Sequence, residues 1–173
     1  MINELLKHTL RLILLLFVQV LIVNNVNLSS YVNPYIYILL LMMMKVNVPK
    51  WQSLVIGFLL GAVMDMFSST VGIHMFATTL LGYLRPRILS ASLNKEDFDA
   101  NIEPNIASKG FIWFFTYAAS LIFVHHCSLF FLEIYSTKEF FATMQRVLYS
   151  SAVSLLMIIL AQFLFFTVKP SDD

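Results

Sequence analysis

Few residues in this 173-residue chain can carry chemistry, and they lie inside sequence suited to lipid. Asp65 is the one acid near the interior of an apolar run, with His74 shortly after it, and His125-His126-Cys127 forms a second polar knot. Hydrolysis within a membrane takes two acids, or a nucleophile with a base beside it. Asp65 has no second acid near it in the sequence. Neighbouring helical residues point about 100° apart, so His125 and His126 do not share one ion, and a third ligand at useful spacing is missing. No Gly-x-Ser-x-Gly elbow, His-Glu-x-x-His pair or phosphate-binding loop occurs. The reading is against an enzyme, with no catalytic residue, cofactor or metal to assign.

The same residues fit a packing role. Gly57, Gly61 and Asp65 are four apart, so on a helix they form one stripe of two small residues and a carboxylate, which should face protein. That stripe serves either close packing within the chain or docking of a partner helix, and Gly72 and Gly82 read the same way. Asp65 falls at the outer end of its helix, where the partial negative charge of a C-terminus disfavours a carboxylate. It therefore needs donors, from the Ser68–Thr70 turn or His74, and either caps that turn or contacts a partner or ligand. Arg85, in Tyr83-Leu-Arg85-Pro86-Arg87, suits a cytoplasmic helix end and is expected to reach anionic lipid headgroups, while Pro86 limits how far the helix continues. Glu133, Lys138, Glu139 and Arg146 are expected to pair at the water interface.

The elements that must position these residues follow from composition. At 59% hydrophobic and 12% charged, the chain is far more apolar than a soluble domain, which is roughly 25% charged. A net charge of +1 with scattered basic residues excludes nucleic-acid binding. One cysteine excludes an internal disulfide. Apolar runs of membrane-crossing length predict six spans, at about 9–25, 33–48, 51–67, 71–88, 110–132 and 146–168, with a cytoplasmic loop over about 89–109. The first span reads as uncleaved, since Asn24-Asn25-Val26-Asn27 offers no small-x-small site after it. Lys7, Arg11, Lys45, Lys50, Arg85, Arg87, Lys95, Lys109 and Lys169 fall on one side, and only Lys138 and Arg146 on the other, so both termini are cytoplasmic. The fold class is all-α, a single integral membrane bundle of six transmembrane helices.

Gly57-Phe-Leu-Leu-Gly61-Ala-Val-Met-Asp65-Met-Phe-Ser-Ser-Thr70-Val-Gly72-Ile-His74, continuing to Tyr83-Leu-Arg85-Pro86, resembles the rod shape-determining protein MreD family in its Bacteroidota-type form. The specific part covers residues 55–88; elsewhere the likeness is in hydropathy. The resemblance implies a bundle similar to the substrate-binding subunits of energy-coupling-factor vitamin transporters. It also implies a non-catalytic place in the cell-elongation complex of the bacterial inner membrane. The implied partners are an MreC-like bitopic protein and, through it, MreB-like filaments, a RodA-like glycosyltransferase and a penicillin-binding transpeptidase. Gly57, Gly61, Asp65, Gly72, His74, Arg85 and Pro86 are the matching positions, implied to shape the bundle and its docking surface. A vitamin- or metabolite-binding transport subunit is the alternative, with Asn24, Asn25, Asn27, Asp65, His74, Glu133 and Arg146 as the polar groups of its outer half.

Overall fold

The computed structural model describes residues 14–21, 23, 32–134 and 139–165. Lys7, Arg11, Asn24, Asn25, Asn27, Lys138 and Lys169 lie outside the described residues, as do both termini. The regular structure described is helical: α1 (residues 14–21), α2 (Leu39–Met42), α3 (Lys50–Ser68), α4 (Ile73–Ser92), α5 (Lys95–Asp99), α6 (Ile106–Lys109), α7 (Phe111–Ile134) and α8 (Phe140–Phe165). Among the described residues, α3, α7 and the Phe140–Leu164 part of α8 are long and apolar enough to cross a membrane.

Glycine governs how α3 meets α4. A Cβ built on Gly57 would lie 2.5 Å from the Thr78 carbonyl oxygen, and one on Gly61 only 2.3 Å from the Met75 Cα. From the opposite side, a Cβ on Gly82 would lie 2.5 Å from the Ser53 carbonyl oxygen. Side chains at these three positions would hold the backbones apart, so the glycines permit a contact that larger residues forbid. Across the seam, the Thr78 hydroxyl lies 2.6 Å from the Gly57 carbonyl and 2.7 Å from that of His74. The connection is tight because Ser69 ends α3 in the left-handed region (φ 53°) and Gly72 opens α4 at φ 80°, a conformation that suits glycine. α4 packs in turn on α7, and α7 on α8.

Two departures from the sequence reading shape the interior. Where a span is expected over 33–48, the chain is irregular over 32–36, turns at 37–38, makes the one-turn helix α2, and turns again to reach Pro49. We call residues 32–48 the strap. Tyr37, Ile38, Leu39, Leu41 and Met42 on it are fully enclosed by the helices. Its apolar composition reflects burial in protein, and Pro34 biases Asn33 away from helical backbone. The second departure is that α4 does not stop at Pro86 but runs on to Ser92. Proline forfeits one backbone bond there, while Arg85 and Leu89 on either side of it remain buried in the bundle.

The 89–109 region is more ordered than an open aqueous loop. Asn94 and Asn105 each close a reciprocal capping box, opening α5 and α6. Lys109 donates to Asp97 at 2.8 Å, and this bond chiefly holds the Asp97 carboxyl below its usual range. Phe98, Ile102 and Ile106 pack on the main core, and the Val46 amide of the strap donates to the Ile102 carbonyl at 3.1 Å.

The glycine seam makes a direct prediction. Gly61→Leu should lower the melting temperature in detergent by several degrees or more. Overpacking costs about 1–3 kcal/mol, and a chain of this size shifts about 2–4 °C per kcal/mol. Leu59→Ile, on the exposed face of the same helix, should leave the melt nearly unchanged. Equal effects in the two melts would contradict the seam.

Candidate functional site: a polar network around the strap

An irregular backbone inside an apolar bundle has donors and acceptors that no helix satisfies, and each left bare costs about 1–3 kcal/mol. Side chains from the surrounding helices supply the partners. From α1, Gln19 donates to the Pro34 carbonyl at 3.1 Å and accepts from the Ile36 amide at 2.7 Å. From α8, Ser150 accepts from the Asn33 amide at 3.0 Å and Ser154 from the Tyr35 amide at 2.9 Å. At the other end of the strap, the Tyr117 hydroxyl donates to the Met42 carbonyl at 3.0 Å. The Arg85 guanidinium donates through Nη2 to the carbonyls of Met42, Met44 and Lys45.

The strap also sends two rings into the bundle. The Tyr37 hydroxyl lies 3.1 Å from His74 Nδ1 and 2.9 Å from His125 Nε2, joining α4 to α7. The Tyr35 ring stands edge-on to His74 and His125 at centroid separations of 5.1 and 5.7 Å, and against His126 at 5.5 Å. His126 turns away from His125, with Nδ1 at 2.8 Å from the Ile122 carbonyl and Nε2 at 3.1 Å from the Ser154 hydroxyl. At the rim, Arg146 pairs with Glu133 through two contacts of 3.0 and 3.3 Å, and its guanidinium carbon sits 4.2 Å from the Phe130 ring centroid. With the Asn33 amide turned so that its oxygen faces Arg146, that oxygen accepts from Nη2 at 2.7 Å and Nε at 3.2 Å.

Asp65 resolves the electrostatic conflict posed by its position. Its Oδ1 accepts from the His74 amide at 3.0 Å and from the Thr70 hydroxyl at 2.5 Å, and its Oδ2 accepts from the Met75 amide at 3.0 Å. The carboxylate at the end of α3 thus caps the start of α4, where free N–H groups and the partial positive charge of a helix N-terminus favour an anion. His74 contributes its backbone to this cap and its ring to Tyr37.

Of the positions singled out from the sequence, Gly57, Gly61, Asp65 and His74 meet at the α3–α4 seam. Gly72 sits in the turn beside them with open space around it. Arg85 and Pro86 lie toward the opposite end of α4. Arg85 does not reach lipid: it is 1% exposed, and the strap carbonyls hold it inside. Arg87 is the exposed cation, 3.9 Å from the Tyr83 ring centroid. Among the described residues, no group of three His, Cys, Asp or Glu is placed to hold a metal ion.

Sequence reasoning missed Gln19, Tyr37, Tyr117, Ser150, Ser154 and also Gln162, whose side-chain nitrogen lies 3.0 Å from the Met43 sulfur of the strap. A signal existed on α8, where Thr143, Val147, Ser150, Ser154, Ile158 and Gln162 recur every three or four residues and are all buried. A polar stripe at helical spacing within an apolar run marks side chains bound for protein. Chemically, these groups bond mainly to one another and to the strap backbone, an arrangement suited to fixing a conformation.

Comparison with known proteins bears on the chain as a whole. The sequence model of a family described as rod shape-determining protein MreD matches residues 5–168. No curated protein and no solved structure matches the chain.

Two substitution sets test the network. Asp65→Ala strips the cap from α4 and should cost at least the roughly 0.5–2 kcal/mol of a lost N-cap, with Asp65→Asn falling between it and the parent. Arg85→Met should destabilise more than Arg85→Lys, because lysine retains donors for the strap carbonyls. Melting curves in detergent give both orderings; a neutral Arg85→Met would contradict the buried role.

Proposed function

The chain belongs to the rod shape-determining protein MreD family, and on that premise we propose that it is a non-catalytic membrane scaffold of the bacterial cell-elongation complex, acting by binding an MreC-like bitopic protein. The observation that carries this reading is the extent of the family match, residues 5–168 of 173. Through that partner the scaffold serves MreB-like filaments, a RodA-like glycosyltransferase and a penicillin-binding transpeptidase in lateral peptidoglycan synthesis. We place it in the inner membrane as a multi-pass protein of the Bacteroidota type, with cytoplasmic termini and a bundle like that of energy-coupling-factor substrate-binding subunits. Its six crossings include the strap as a broken second one, since irregular backbone is tolerated at membrane depth when buried in protein.

The distribution of polar groups supports a scaffold. Gly57, Gly61, Asp65, His74 and Arg85 are buried, and with Gly72 and Pro86 they enter the proposal as residues that set the shape a partner meets. A metabolite-binding subunit would keep convergent polar side chains available to its ligand. Here Asp65 spends both oxygens on α4, His74 meets Tyr37, and Glu133 pairs with Arg146.

Depletion in the native bacterium should turn rods into spheres, and affinity purification from mild detergent should recover the MreC-like protein. Gly61→Leu should reduce that recovery at equal expression, and Leu59→Ile should not. Normal rods after depletion, with no such protein recovered, would overturn the proposal.

A further inference from the structure

The two adjacent histidines on α7 face different partners, and those partners fix where their protons must be. His126 Nδ1 lies 2.8 Å from the Ile122 carbonyl, which only accepts, so that nitrogen carries the proton. The Asn33 carbonyl also faces the ring but makes no hydrogen bond of normal geometry to it, so Nε2 accepts from the Ser154 hydroxyl at 3.1 Å, while the Ser154 oxygen accepts from the Tyr35 amide at 2.9 Å. His125 has no such carbonyl: its Nδ1 is buried without a hydrogen-bond partner. The Tyr37 hydroxyl has one proton for two ring nitrogens, so one histidine must donate to the phenol oxygen. If His74 donated, His125 would accept at Nε2 and leave an N–H on Nδ1 with nothing to bond. If His125 donates from Nε2, His74 accepts at Nδ1 and carries its proton on Nε2, which is not among the buried atoms without a partner, so the bare buried atom is a lone pair on His125, and a bare buried acceptor is more readily tolerated than a bare N–H.

We infer that His125 and His126 are positioning residues held in opposite tautomers, His125 protonated on Nε2 and His126 on Nδ1, and that together they key the register of the strap. One chain runs from the Tyr35 amide through the Ser154 hydroxyl and His126 to the Ile122 carbonyl. The other runs from His125 through the Tyr37 hydroxyl to His74 Nδ1. Each has a single direction, so a strap shifted by one residue would set donor against donor or leave both chains without partners. Two neighbouring residues of one helix thereby read two points of the strap, its backbone at Tyr35 and its side chain at Tyr37. Both rings are fully buried, which removes water as a substitute partner from the bulk.

The test is the tautomer itself, read by proton-coupled nitrogen NMR on the full chain in detergent with labelled histidine, each signal assigned by single substitution. The expected result is Nε2–H for His125 and Nδ1–H for His126. The same tautomer on both, or Nδ1–H on His125, would overturn the inference. Tyr37→Phe removes the acceptor facing His125 and should erode its Nε2 preference while leaving His126 unchanged; an unaffected His125 would contradict the second chain. A stability readout distinguishes this from mere space filling. His125→Gln, whose amide reaches the Nε2 position, should melt closer to the parent than His125→Asn, whose amide stops near Nδ1. Equal or reversed order would also overturn it.

Discussion

Everything distinctive in this fold follows from placing a non-helical segment inside an apolar helical bundle. A helix satisfies its own backbone; the irregular residues 32–36 and the turns on either side of α2 do not. The bundle must therefore carry polar side chains into its interior, and most of the buried ones have this task. Gln19, Ser150 and Ser154 serve the irregular part before α2, Arg85 and Tyr117 serve the carbonyls at and after its end, and the histidines hold Tyr37 and, through Ser154, Tyr35. Groups that resemble a reactive site one residue at a time become intelligible as the satisfaction of one strand of backbone.

The α3–α4 pair is the rigid side of the same construction. Its glycines bring the two backbones together, Asp65 ties the end of one helix to the start of the next, and that cap fixes the depth of His74. His74 then meets Tyr37, and Arg85, further along the same helix, meets the far end of the strap. One helix therefore holds the strap at two places. A buried arginine is costly alone, yet with several carbonyls converging on it the charge and the carbonyls offset one another.

The parts legible in the sequence are those governed by spacing along one element. Gly57, Gly61 and Asp65 at intervals of four predict a protein-facing stripe, and the Ser68–Thr70 turn is a predicted source of donors for Asp65; both concern residues close in the chain. The irregular backbone of the strap is not legible because burial in protein and burial in lipid select the same apolar residues, so 33–48 reads as a helical span. Arg85 reads as a lipid anchor for a related reason: an arginine near a helix end has the same sequence signature whether it meets headgroups or carbonyls. The spacing of His125 and His126 argues only against a shared ion, and nothing local foretells that the partner of one is a tyrosine far away in the chain. Membership in the rod shape-determining family rests on the match over residues 5–168, while the network describes how the chain holds its shape.

The central claim is that the strap is locked by side chains within the bundle, and amide hydrogen exchange on the protein in a lipid bilayer tests it most directly. The Tyr35 and Ile36 amides, outside any helix yet bonded to Ser154 and Gln19, should exchange orders of magnitude more slowly than exposed turn amides, approaching those in the middle of α7. Exchange at Tyr35 and Ile36 as fast as at the exposed Asn101 turn would contradict the account.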